Sequence, residues 1–330
     1  METSSPRNAR TVVVGGGTMG ADVAVVLARG GAHVTVVDPH TERRNRLLPH
    51  IAQELAAAGQ ATHAGPVQVC ASLQEVDWTG VVLVVECITE QLAAKQQLFA
   101  ELEAIAPANA VLASNSSGFP ISAIAQGLAT AQRMLGLHFF MPAHLVPLVE
   151  VVLGERSDAA LGTWLHAFMR GCGSVPVLVK KDKPGFLANR MQHALSREAF
   201  ALIDEGIASP EDVDAAVRFG FGFRFLAAGP VLQRDHAGIE VHTAAAATMY
   251  PTLSNTDIPA QALRDKVAQG QLGMKTGKGF FDWPEDRKRA ERERYDTLLR
   301  QGLALLASEL PTIEPLSLIH ISEPTRQEAI

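Results

Sequence analysis

Two residues with acid–base capacity stand in one apolar stretch, His138 and Glu150 in LGLHFFMPAHLVPLVEVV, Leu135 to Val152. A histidine among aliphatics ordinarily fills a core position, and a carboxylate on such a strand is costly unless it meets a partner. The two fit together if the segment doubles back. A hairpin centred near His144, where MPAH breaks the apolar run, sets Glu150 opposite His138. An imidazole held in one tautomer by a carboxylate is a general base that can take a proton from an alcohol. His144, His193 and His236 are weaker candidates for the base, and of these only His144 lies near enough in sequence to compete.

A second group of residues supplies a reason for such a base. Gly15, Gly17 and Gly20 in VVVGGGTMGADVAVVLARGG form G-x-G-x-x-G between a strand-like run and a helix-like one, and HVTVVD then closes on Asp38. That order is the βαβ dinucleotide fingerprint: a tight turn, a close backbone approach for the pyrophosphate, and the positive end of a helix beneath it. Thr18 and Met19 complete the turn. Asp38 can accept both ribose hydroxyls of NAD, and its charge opposes a 2′-phosphate, so NAD is expected over NADP. Arg43 and Arg44, just beyond, soften that preference. A dinucleotide-like domain that has lost its ligand, or one that takes FAD or another nucleotide, is the alternative. With NAD, the histidine would take the hydroxyl proton as hydride leaves the carbinol carbon.

These residues need a scaffold. TVVVGG, HVTVVD, VQVCA, GVVLVVEC, AVLAS and RMLGLHFF are short apolar runs separated by alanine-rich helical stretches, the pattern of a parallel sheet covered on both faces. His138 ends the last of these strands, the edge at which such sheets bind ligands. Beyond VPVLVKKDKPGF helical periodicity takes over; Ser209, Pro210 and Asp212 mark a helix start. The fold expected is an α/β Rossmann doubly wound parallel sheet followed by an all-α C-terminal domain. The divisions are 1–183 for NAD binding, 184–315 for a helical domain, and 316–330 for a tail. The basic residues of DRKRAERERYDTLLRQGLALLASEL alternate with acids as a solvated helix face does.

Composition narrows the classes. Of 330 residues, 47% are hydrophobic and 19% charged, and the net charge is −6, a globular balance that offers nucleic acid nothing. No apolar run is long enough to span a bilayer, and METSSPRNAR lacks the apolar core of a secretory signal. Cys70, Cys87 and Cys172 are far apart in apolar surroundings and read as reduced, buried residues of a cytoplasmic protein. Neither C-x-x-C nor H-E-x-x-H spacing occurs, so no metal is expected. LSLIHISEPTR, Leu316 to Arg326, resembles the translation of a tagmentation sequencing adapter, with a short apolar strand and polar tail as the alternative. It is set aside in reading the fold, and the natural chain is expected to end near Glu314 or to continue in lost sequence.

GLHFFMPAHLVPLVEVV, with ASNSSGFPISAIA before it and KKDKPGFLANR after it, resembles the 3-hydroxyacyl-CoA dehydrogenase family. VVECITEQLAAKQQLF, Gly229 with Pro230, and GMKTGKGFFDW carry the resemblance over about residues 10 to 285. It implies a dinucleotide domain joined to a helical domain, 184–315, that serves substrate binding and forms a homodimer, and reversible NAD-dependent oxidation of a 3-hydroxyacyl-CoA to the 3-ketoacyl-CoA in fatty acid metabolism. The family's catalytic pair falls on His138 and Glu150, its substrate-contacting serine on Ser117 and its active-site asparagine on Asn189. Its nicotinamide-side residues fall on Glu90 and Lys95, and Asn115 joins the cofactor set. Ser117 in a serine-rich turn, Asn189 at a helix start, and Glu90 with Lys95 as a surface pair each have a plain structural alternative.

Two positions depart from the family pattern. Met141 replaces the asparagine of H-F-F-N-P, and Pro147 stands where the acyl-CoA branch commonly has lysine. HLVPLVEVV is similar to members that act on small hydroxy acids free of CoA: L-gulonate and carnitine dehydrogenases and the vitamin B6-degradation enzyme. Three readings follow: the acyl-CoA enzyme, favoured by the breadth of the resemblance; a sibling for a small non-CoA hydroxy acid; and a non-catalytic, crystallin-like NAD-binding protein.

Overall fold

The computed structural model describes residues 4–313. The adapter-like segment lies outside the described residues. The chain divides into two compact units: one runs to Phe186 and is rejoined by the chain at Leu310, and the other is Leu187–Glu309.

The first unit is built on one eight-stranded sheet: β1 (Arg10–Val14), β2 (His33–Val37), β3 (Val67–Cys70), β4 (Val81–Glu86), β5 (Val111–Ser114), β6 (Met134–Phe139), β7 (Leu148–Leu153) and β8 (Val175–Val179), in the spatial order β3-β2-β1-β4-β5-β6-β7-β8. Its first six strands are parallel, β7 returns antiparallel to β6, and β8 runs parallel to β7. The apolar runs are continuous because both faces are covered. On one face pack α1 (Thr18–Arg29), α2 (Thr41–Ala57) and α5 (Ala159–Gly171); on the other pack α3 (Leu92–Ile105) and the short α4 (Ile121–Ile124). This is the doubly wound Rossmann architecture expected. The register of β6 and β7 sets His138 opposite Glu150, as a hairpin centred on His144 requires.

The second unit is helical. Among the described residues its only β pairing is two isolated bridges at Lys278. It opens with α6 (Ala188–Asp204); α7 (Pro210–Ala216) follows, with the Ser209 side chain accepting the Asp212 N–H as its N-cap and Pro210 in the first turn. A long helix covers Glu285–Leu305. No helix among the described residues is long and apolar enough to cross a membrane. All three cysteines are free thiols; Cys172 is buried as expected, whereas Cys70, the last residue of β3, and Cys87, which follows β4, are only partly so.

Candidate active site

The glycine turn joins β1 to α1 and forms one wall of a cleft of about 1170 Å³, lined among others by Gly15, Gly17, Thr18, Met19 and Asp38. Gly15 has φ +103°, and a Cβ there would lie 2.7 Å from the Cys87 carbonyl oxygen. A Cβ on Gly20, beneath the turn, would lie 1.7 Å from the Gly15 carbonyl oxygen. Gly17 has nothing within 4 Å of such a Cβ, so it leaves open room at the N-cap of α1. The residues thus fit a dinucleotide: two glycines close the turn, and the third bares the helix N-terminus to a pyrophosphate. Asp38 is 1% exposed. Its two carboxylate oxygens accept the Gly16 and His40 backbone N–H groups, each at 2.8 Å, which aims their remaining lone pairs. Arg43 stands 3.6 Å from the same carboxylate.

At the end of β6, His138 Nδ1 lies 2.7 Å from Glu150 Oε2, and both side chains are buried. The other ring nitrogen, Nε2, lies 3.0 Å from the Ser117 hydroxyl, which is exposed. A carboxylate on one nitrogen fixes the tautomer and leaves the other free to exchange a proton at the surface. Two aromatic rings hold the imidazole edge to face, Phe140 at 4.6 Å and Phe186 at 5.6 Å between centroids. Phe186 has φ +48°, a left-handed conformation that bulky residues seldom adopt, in the turn DKPGF. The sequence reading missed Phe186; the unusual P-G-F turn was its one signal.

Glu90 caps the serine turn that carries Ser117. Its Oε1 accepts the Ser116 hydroxyl at 2.5 Å and the backbone N–H groups of Ser117 and Gly118 at 3.2 and 3.0 Å. Partial burial pushes the Glu90 carboxyl up, but the Ser116 hydroxyl, the Lys95 ammonium and the Gly118 N–H outweigh it and hold the group below the usual carboxylate range. Lys95 is not half of a surface pair: it is 1% exposed, 2.6 Å from Glu86 and 3.2 Å from Glu90. Glu86, wholly buried at the end of β4, also accepts the Ser114 hydroxyl at 2.6 Å. Glu86 was overlooked because it reads as the last residue of an apolar strand; Lys95, one helical turn into α3, is what permits a carboxylate there.

The Asn115 side-chain oxygen accepts the Phe139 N–H at 2.9 Å and ties the ends of β5 and β6 together. Ser117, His138, Glu150, Glu90, Lys95 and Asn115 therefore share one end of the sheet, the end at which the glycine turn also leaves β1, with β4 and β5 lying between β1 and β6. Asn189, in the first turn of α6, belongs to the second unit and is not among the residues that the first unit gathers.

Residues 10–183 match the model of the 3-hydroxyacyl-CoA dehydrogenase NAD-binding domain, and residues 185–283 match that family's C-terminal domain. The chain is 32% identical over 288 residues to 5-formyl-3-hydroxy-2-methylpyridine 4-carboxylate 5-dehydrogenase of Mesorhizobium japonicum, covering 86% of this chain and 93% of that one. It is 33% identical over 284 residues to 3-hydroxybutyryl-CoA dehydrogenase of Mycobacterium tuberculosis, covering 83% and 98%. A crystal structure of a 5-formyl-3-hydroxy-2-methylpyridine 4-carboxylic acid 5-dehydrogenase, described as an NAD+-dependent dismutase, superposes with a TM-score of 0.85 at 30% identity over 90% of this chain and 98% of that one. With a dinucleotide turn and a carboxylate-bound histidine at the same end of one sheet, and both family domains matched in order, the chain belongs to the 3-hydroxyacyl-CoA dehydrogenase family and is an NAD-dependent oxidoreductase acting on CH–OH.

Proposed function

We propose that His138 is the base of an NAD-dependent dehydrogenase whose substrate is a small carboxylate-bearing alcohol or aldehyde free of CoA. The observation that carries the catalytic half is the hydrogen-bonded line Ser117–His138–Glu150, which runs from the exposed end of the sheet to a buried carboxylate. NAD, when bound, supplies the hydride acceptor. His138 Nε2 takes the hydroxyl proton, Glu150 stabilises the resulting imidazolium, and Ser117 donates its hydroxyl to the substrate oxygen. Phe140 and Phe186 keep water from the ring. The glycine turn and the N-terminus of α1 hold the pyrophosphate, Asp38 holds the ribose, and Glu90, braced by Lys95, keeps the Ser117 turn in place. Asn189 is proposed as a second hydrogen-bonding partner of the substrate, carried by the second unit.

The substrate half rests on three things. Met141 and Pro147 depart from the acyl-CoA pattern. Met141 is 64% exposed beside the His138 strand, so the position that would carry an amide offers a thioether instead. The pyridine-carboxylate dehydrogenase structure superposes with a TM-score of 0.85, against 0.68 for a Mycobacterium tuberculosis relative at 32% identity. The acyl-CoA reading keeps its own support, 34% identity to 3-hydroxyadipyl-CoA dehydrogenase of Escherichia coli and 33% identity to a 3-hydroxybutyryl-CoA dehydrogenase.

The test is NADH oxidation by the full chain with acetoacetyl-CoA, free acetoacetate, and an aromatic carboxylate bearing an adjacent aldehyde. Turnover confined to free carboxylates is the expected result. Turnover confined to the CoA ester would overturn the substrate reading and restore the fatty-acid one. NADH binding without turnover on any of them would count for the non-catalytic reading.

The same proposal includes a homodimer formed through the second unit, where Phe219, Val231, Tyr250 and Val267 are 73%, 79%, 62% and 66% exposed. The free thiols fit a reducing, cytoplasmic setting.

A further inference from the structure

Helix α1 buries every residue from Gly20 to Ala28, and one of these is a carboxylate, Asp22. Its Oδ2 accepts the Ala143 N–H at 3.1 Å. Its Oδ1 meets two imidazoles at once, His50 Nε2 of α2 at 3.0 Å and His144 Nδ1 of the β6–β7 connection at 3.1 Å. The opposite nitrogen of His144 lies 3.2 Å from the Glu54 carboxylate. Asp22, His50 and His144 each offer one ligand atom, and the three atoms lie within 4.8 Å of one another.

Hydrogen bonds leave this cluster incomplete. His144 Nδ1 is buried and has no well-aligned hydrogen bond, although the Asp22 carboxylate oxygen stands 3.1 Å away. With the Nε2 proton directed at Glu54, Nδ1 presents a lone pair to Asp22, and a cation between them would satisfy both. Two donors each about 2.1 Å from one ion are about 3.0–3.4 Å apart, the spacing at which Asp22 holds both rings. Two imidazoles and one carboxylate suit zinc and its neighbours, whereas magnesium and calcium favour oxygen alone. The supporting groups are also those of a metal centre: Glu54 orients one ligating ring through its far nitrogen, and the Ala143 N–H fixes the carboxylate. His50, whose side chain is 36% exposed, leaves the solvent side open for a fourth ligand.

We propose that Asp22, His50 and His144, oriented by Glu54, bind one divalent transition-metal ion of the zinc class. The ion would pin the connection that follows His138 to both helices of the dinucleotide turn. The expectation of no metal came from short-range spacing, and these ligands come from three separate segments.

The test uses the untagged full chain, stripped with EDTA and titrated with Zn2+ in a calorimeter, with Co2+ as a spectroscopic probe. One equivalent of Zn2+ should bind, raising the melting temperature, and Co2+ should give the visible bands of a low-symmetry nitrogen–oxygen site. His50→Gln, at the open side of the cluster, should weaken Zn2+ binding at least a hundredfold with the circular dichroism spectrum unchanged, and His144→Gln should do the same. Absence of stoichiometric uptake by the unmutated chain would overturn the proposal. Uptake that persists in both variants would also overturn it, because the ion would then sit elsewhere.

Discussion

All six residues of β6, Met134 to Phe139, are buried, and α1 is buried from Gly20 to Ala28, whereas α6, α7 and the helix Glu285–Leu305 bury none. The first unit closes an apolar layer on each face of its sheet within a single chain. The second carries large apolar side chains, Phe219 and Val231 among them, at its surface. The proposed acid–base pair, His138 and Glu150, sits in the unit that makes its own core. A base that must hold one tautomer needs neighbours that cannot shift, and a fully buried strand pair supplies them. The helical unit offers instead a surface that awaits cover, which is why a homodimer is proposed through it.

That contrast can be broken by two substitutions of similar chemistry. Leu137→Ala, on wholly buried β6, should destabilise the protein by about 2–5 kcal/mol in denaturant melts. Val231→Ala, at 79% exposure, should leave the melt of the isolated chain within about 0.5 kcal/mol and act on association measured by light scattering. Equal losses in the two melts would mean that both units rely on cores of the same kind. A strictly monomeric mass for the unmutated chain would remove the dimer.

A smaller effect is expected at the proposed catalytic pair. Glu150→Gln keeps the shape of a wholly buried side chain but takes away the charge that stabilises the imidazolium. Turnover should fall about tenfold to a hundredfold with NADH affinity unchanged, read by steady-state kinetics and fluorescence titration. Unaltered turnover would reduce Glu150 to a packing residue.

The smallest effect concerns Glu90. Its folded-state pKa lies below the ordinary carboxylate value, so its contribution is complete above the unfolded-state value. That contribution fades as pH falls through the depressed one. Acid melts of the unmutated chain should therefore lose stability below the ordinary carboxylate range, and Glu90→Gln should flatten that part of the curve. A parallel curve for the variant would show that the Ser117 turn does not depend on the charge.

Much of this was legible before any coordinates. The strands follow from continuous apolar runs, the glycine turn from three residues within one loop, and the His138–Glu150 register from the arithmetic of one hairpin. Each is a local relation, written within a few tens of residues. Less legible was whatever depends on folding distant segments together. Glu86 looked like a strand end until Lys95 packed on it, and the surface-pair alternative for Lys95 stood until α3 buried it. Phe186 reaches His138 through a left-handed backbone that no periodicity announces. Asp22, His50 and His144 converge only after two helices and a strand connection have packed.

The central claim is that His138 moves the proton, and the direct measurement is turnover of His138→Ala on the substrate that the panel identifies, with NADH binding measured in parallel. The account predicts a loss of about a hundredfold or more in kcat with NADH affinity nearly unchanged. Turnover within a few-fold of the unmutated chain would contradict it and return His138 to the role of a buried core residue.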